Sequence, residues 1–88
     1  MTKNTDLLQF PCQFPIKVMG KNTSSFIDDI QTILCTHFPE IEVSSIQKKA
    51  SKEGKYISIS VTVEAQNKEQ LDKLYLEITE HAEVVMAL

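Results

Sequence analysis

From Tyr56 to Glu64 the chain alternates without a break, with Ile57, Ile59, Val61 and Val63 on one side and Tyr56, Ser58, Ser60, Thr62 and Glu64 on the other. Successive side chains of a strand point to opposite faces, so this run is a strand with one face buried and one not. A second layer must cover the isoleucines and valines. Phe14, Ile16 and Val18 alternate with Pro15, Lys17 and Met19 in the same manner, ending at Gly20. Pro11 and Pro15 lack a backbone donor, so that strand is expected to begin around Phe14. Between the two runs, Phe26, Ile27, Ile30, Ile33, Leu34 and Phe38 recur at three-to-four spacing, which predicts an amphipathic helix stopped by Pro39. Thr23 or Ser24 would cap it, and Asp28 and Asp29 lie near its positive end.

The rest of the chain completes the pattern. Ile41 and Val43 are expected to open a second strand that slips at Ser44-Ser45, because Ile46 has the wrong parity. Adjacent Lys48 and Lys49 suit an exposed sheet edge. Ser51-Lys52-Glu53-Gly54 reads as a hairpin loop. Asn67, with Gln70 three residues on, resembles a capping box ahead of a narrow stripe of Leu71, Leu74, Tyr75 and Ile78. Val84 to Leu88 is a last short strand.

Strand, helix, strand, strand, helix, strand is the order of an α+β, ferredoxin-like βαββαβ sandwich. Right-handed crossovers make it a four-stranded antiparallel sheet with two helices on one face. The first and third strands become central, and the other sheet face is left uncovered. That open face is expected to carry Lys17, Met19, Tyr56, Ser58, Ser60, Thr62, Val85 and Ala87. Residues 1–10 read as a tail whose apolar end, Leu7, Leu8 and Phe10, folds back onto a single domain spanning 11–88.

Composition narrows the chemistry. The net charge is −3, and all nine basic residues are lysines, so the guanidinium best suited to gripping phosphate or carboxylate bidentately is missing. An acidic chain also lacks the term that dominates non-specific nucleic-acid affinity, and nucleic acid is not an expected partner. No apolar run approaches the roughly 20 residues of a membrane span, and MTKNTDLLQF carries no extended apolar stretch like a secretory signal. A cytoplasmic location follows, with no membrane partner, and there Cys12 and Cys35 are expected to be reduced thiols.

The segments Leu7-Leu8-Gln9-Phe10-Pro11, Phe14 with Lys17-Val18-Met19-Gly20, Gly54-Lys55-Tyr56 with Ser58, Glu69-Gln70 with Leu74-Tyr75, and the terminal Val84, Met86 and Leu88 resemble the signature of the YbeD-like family. The resemblance runs in order from Leu7 to the end. It implies a small bacterial protein of uncharacterised function, with a fold similar to the ACT regulatory domains that bind amino acids and control enzymes. Two positions depart from the pattern. The hairpin usually reads Ser-Ser-Lys-Gly-Asn-Tyr in that family, whereas Glu53 stands here where a lysine is typical, which weakens any reading of the loop as an anion site. Ala87 replaces a larger aliphatic.

No catalytic set emerges. The loop after the first strand, Gly20-Lys21-Asn22-Thr23, has none of the paired sulfur ligands a metallochaperone of this fold would place there, and Cys35, His37, Cys12 and His81 have no metal-site spacing. Without arginine an acylphosphatase-like phosphate loop fails. A single aromatic, Tyr56, on the central strands is too little for an RNA-stacking platform. No serine or cysteine has an evident positioned base, so neither enzymatic activity nor a cofactor is expected.

Two recognition surfaces remain. One is the turn of Gly20, Lys21 and Asn22: a glycine allowing close backbone approach, a cation, and helix N-terminal amides that could take an amino acid or another small carboxylate. The favoured reading is the plainer one, that Gly20 merely permits the turn. The other is the open sheet face around Lys17, Met19, Tyr56 and Ser58, half apolar, which suits a protein partner or self-association.

Overall fold

The computed structural model describes residues 9–88. The alternating run becomes β3 (Tyr56–Ala65), with every second residue buried. It pairs antiparallel along its whole length with β1 (Cys12–Lys21), and these two strands form the sheet centre. Sheet order is β2-β3-β1-β4, where β2 is Gln47–Ala50 and β4 is Val84–Ala87. Helices α1 (Ser24–His37) and α2 (Lys68–Thr79) cover one face. Ile16, Val18, Ile57, Ile59 and Val61 of the sheet meet Phe26, Ile30, Leu34, Leu71, Leu74 and Ile78 of the helices in one core. This is the ferredoxin-like sandwich expected from the element order, with the expected strands central.

Both helix starts are capped by residues the sequence marks. Thr23 Oγ1 accepts from the Phe26 amide at 3.1 Å, and Asn67 Oδ1 accepts from the Gln70 amide at 2.9 Å. Gln70 reaches back to accept from the Gln66 amide at 2.8 Å, one residue ahead of the cap. Each cap satisfies a donor that the helix itself leaves unpaired.

Three expectations are corrected. First, β1 begins at Cys12 rather than Phe14, and runs one residue past Gly20. Pro15 is accommodated because Lys17 exchanges both backbone hydrogen bonds with Leu88, so odd-numbered residues of β1 aim their backbones toward β4. The described pairing of β4 with β1 stops there, and the donor Pro15 lacks would have faced an unpaired rim. Second, Ile41 and Val43 form no strand. Val43–Ser45 is one 3-10 turn, closed by Ile46 N donating to Val43 O, and it rotates Ile46 inward to 6% exposure while Val43 is left outside. The parity slip at Ser44-Ser45 was the mark of this turn, and β2 starts only at Gln47.

The third correction concerns β4. Val18 pairs with Ala87 and Met19 with Met86, but Gly20 pairs with Val84, leaving Val85 as a bulge. Ala87 therefore shares the helix-side face with Val18 and packs on the core; it does not belong to the open face. Met86 does.

Of the tail expectation, Leu7 and Leu8 lie outside the described residues. Phe10 is half-buried against the core. Among the described residues no helix is long and apolar enough to cross a membrane.

Candidate functional site

The turn after β1 is a structural clasp. Gly20 is buried within β1; a Cβ there would lie 2.3 Å from Phe26 Cζ and 2.6 Å from the Glu83 carbonyl oxygen. The space a ligand's approach would use is filled by the Phe26 ring. Lys21 N donates to Glu83 O at 3.3 Å, Asn22 N to Lys55 O at 3.0 Å and Thr23 N to Lys21 O at 2.9 Å. Asn22 Nδ2 adds a bond to Gly54 O at 3.0 Å, tying the turn to the β2–β3 hairpin, where Gly54 takes the left-handed φ of +79°. Thr23 Oγ1 lies 3.4 Å from a Glu83 carboxylate oxygen, so the molecule's own carboxylate sits beside the start of α1. Lys21, Asn22 and Thr23 do border an open depression of about 310 Å³ with Gly54, Lys55 and Tyr56, yet the backbone donors of residues 21–23 are already engaged.

Behind the turn, two histidines join the helices. His81 Nε2 lies 2.9 Å from Asp29 Oδ2, and His37 Nε2 lies 2.7 Å from Glu77 Oε1. The Glu83 amide donates to His81 Nδ1, which places the imidazole proton on Nε2, aimed at Asp29. The His81 ring stands edge-on to Phe26, with centroids 5.5 Å apart. These residues lock α1, α2 and the entry to β4 together. Among the described residues no three His, Cys, Asp or Glu side chains converge as a metal site would require, and Cys12 and Cys35 are free thiols, both half-buried.

The open sheet face is different in kind. Register places Lys17, Met19 and Lys21 of β1 opposite Ser60, Ser58 and Tyr56 of β3, with Lys49 opposite Ser58 from the other side. Met86 stands beside Met19, and Leu88 opposite Lys17. Tyr56, Met86 and Leu88 are 43%, 47% and 65% exposed, an unusual concentration of large apolar groups in water. Two shallow depressions cross this face: one of about 490 Å³ over Lys17, Ser60, Thr62 and Leu88, the other of about 220 Å³ over Met19, Lys49, Tyr56 and Ser58. The four partner-surface residues expected from the sequence, Lys17, Met19, Tyr56 and Ser58, thus adjoin one another. Lys21, expected at a ligand turn, joins them. Met86, Leu88 and Lys49 were missed. The run Val84 to Leu88 does not alternate in polarity, so only the bulge and the pairing register reveal which of its residues face outward.

Tyr75 of α2 closes the far side of the sheet. Its ring meets Phe14 edge-on, and its hydroxyl donates to Leu88 O. Burial pushes the phenol above its ordinary value of 10.0. The folded state therefore holds the proton longer than the unfolded chain. The stabilisation is complete below pH 10 and is lost as pH rises through the folded value. Urea titrations from pH 9 to 11.5 are expected to show a steeper loss of stability in the native chain than in Tyr75→Phe; parallel curves would refute it.

An open four-stranded antiparallel sheet of order β2-β3-β1-β4 under two helices defines a small α+β domain of ferredoxin-like βαββαβ fold. The chain resembles the ACT domain from the GTP pyrophosphokinase of Chlorobium tepidum, with a TM-score of 0.68 at 13% identity over 88% of this chain and 83% of that one. It also resembles protein HP0495 from H. pylori, with a TM-score of 0.64 at 22% identity over 92% and 85% of the two chains. At these identities the likeness is one of fold. In sequence, the chain is 39% identical over 85 residues to a UPF0250 protein of Paraburkholderia phytofirmans, covering 97% of this chain and 96% of that one. It is 35% identical over 82 residues to UPF0250 protein NE1487 of Nitrosomonas europaea, covering 93% and 94%. The family described as protein of unknown function (DUF493) matches residues 5–88, and the chain belongs to it. The resemblance to YbeD-like bacterial proteins is borne out.

Proposed function

We propose that this chain is a non-catalytic regulatory or interaction module that works in the cytoplasm by docking a protein partner on its open sheet face. The supporting observation is the apolar group of exposed Tyr56, Met86 and Leu88 around half-buried Met19, on the one layer that the helices leave uncovered. Fold likeness to an ACT domain by itself assigns no activity, so the reading rests on that surface. An amino acid or small carboxylate at Lys21 and Asn22 is the weaker alternative, because the turn's donors hold the hairpin and Glu83 instead.

Photo-crosslinking in cells tests the reading. A crosslinkable residue at Ser58 is expected to trap a discrete protein, and one at exposed Lys73 on α2 is not. Lys17→Glu combined with Tyr56→Ala should remove the adduct while leaving stability within about 0.5 kcal/mol per substitution, since both side chains are on the surface. Equal yields at both positions, or an undiminished adduct in the double variant, would exclude the open face as the docking site.

A further inference from the structure

We infer that the partner segment received by the open face is acidic and carries apolar anchors, an inference that rests on the docking role proposed above. The charges of this chain are sorted by layer. The helical layer carries Asp28, Asp29, Glu69, Asp72 and Glu77 against two lysines, Lys68 and Lys73. The sheet face carries Lys17, Lys21 and Lys49, and Lys52 of the hairpin lines the same depression as Met19 and Tyr56. The other β2 lysine, Lys48, turns to the helix side, where its Nζ reaches Gln31 Oε1 at 3.3 Å. Among the described residues, Lys17, Lys21 and Lys49 have no carboxylate within 4.0 Å, whereas Lys55 and Lys68, off the face, do. Glu64, opposite Gln13, is the acid that β3 contributes to this face, four residues beyond Ser60 and at the end away from Lys21.

An acidic protein thus presents a locally cationic surface surrounding exposed Tyr56 and Met86 and half-buried Met19. Complementary charge at the rim of an apolar patch steers and selects a partner. The arrangement also argues against other occupants. A symmetric pair of copies meeting through this face would bring two cationic surfaces together, with Glu64 the one acid that β1 and β3 together place on it. A nucleic acid would find one stacking ring, Tyr56, and no guanidinium, among aliphatic side chains better shaped for leucine or phenylalanine than for bases. An acidic amphipathic segment satisfies both halves of the surface.

The test uses the full isotope-labelled chain and four probes: a synthetic amphipathic peptide with glutamates around leucine and phenylalanine anchors, the same peptide with every Glu as Gln, the same with every Glu as Lys, and a thymidine oligonucleotide of equal charge to the first. The acidic peptide should shift amides around Lys17, Met19, Ser58 and Met86, and bind about tenfold more tightly than the Gln peptide. That advantage should vanish near 1 M salt, where screening acts within roughly 3 Å, and in the triple variant Lys17→Glu, Lys21→Glu, Lys49→Glu. If the triple reversal fails to fold, the corresponding triple Lys→Gln variant gives the same comparison. Equal binding of the Gln peptide at the face overturns the acidic partner but leaves the docking face standing. Shifts confined to the helices, or no shifts at all, overturn both. Tighter binding of the oligonucleotide, a dimer in sedimentation whose formation protects the face, or peptide binding seen only after removal of residues 1–8 overturns the inference in favour of those occupants.

Discussion

Gly20→Ala is expected to lower the unfolding free energy by about 2–3 kcal/mol, although it adds a single methyl group to a strand. The methyl carbon would sit 2.3 Å from Phe26 Cζ and 2.6 Å from the Glu83 carbonyl oxygen, well inside contact distance on two sides. One neighbour is a ring already in edge contact with His81; the other is backbone, held by the Lys21 amide. The ring can turn away only by disturbing the His81–Asp29 bond, and the carbonyl can move only by opening the bulged end of β4. A loss of this size corresponds to a fall in Tm of roughly 10–20 °C for a domain of this length. Because the second contact is backbone, Phe26→Leu in the Gly20→Ala background should recover only part of the loss. Urea unfolding of the two single variants and the double variant checks this. A change in Gly20→Ala below about 0.5 kcal/mol would mean the strand end yields freely and the close packing is illusory.

Leu74→Ala is expected to cost about 3–4 kcal/mol, within the roughly 2–5 kcal/mol range for emptying a buried leucine site. Helix α2 holds the sheet through Leu71, Leu74 and Ile78 as its buried side chains. Leu74 is the central one and is 0% exposed. Alanine is the best helix former, so the substitution leaves α2's intrinsic tendency intact and the loss measures packing alone. A domain of this size has on the order of 4–13 kcal/mol in total, so the variant should have a clearly lowered urea midpoint with an unchanged slope. Leu76→Ala, in the same helix but 60% exposed, should change stability by less than about 0.5 kcal/mol. Similar losses in the two variants would show that the depth of Leu74 does not govern how α2 is held.

Much of this architecture was legible in the chain because local signals agreed with the global fold. The β3 alternation, the three-to-four spacing of α1, and caps at Thr23 and Asn67 each named their element correctly. The failures fall where pattern underdetermines pairing. Ile41 and Val43 mimic a strand start, but one wound turn follows and Ile46 carries the burial instead. In the terminal run every residue is apolar, so neither face is marked, and the Val85 bulge transferred Ala87 to the core and Met86 to the surface. The candidate site suffered the same way. Lys17, Met19, Tyr56 and Ser58 were readable because alternation in β1 and β3 is clean, whereas Lys49 and Met86 required cross-strand register. Gly20 and Asn22 were visible as special residues, but sequence alone does not show that Phe26 and Gly54 are what they serve.

Pro15 has an effect that reaches past its own strand. On the side of β1 that faces β4, past its described pairing, a ring nitrogen stands at Pro15 in place of a donor, so a strand added there would lose a ladder bond. At the opposite margin the adjacent cations of β2 discourage the same event. The open stretch of β1 and the β2 edge are thereby poor templates for lateral growth into a fibrillar ribbon, whereas the outer margin of β4, Val84–Ala87, carries neither device.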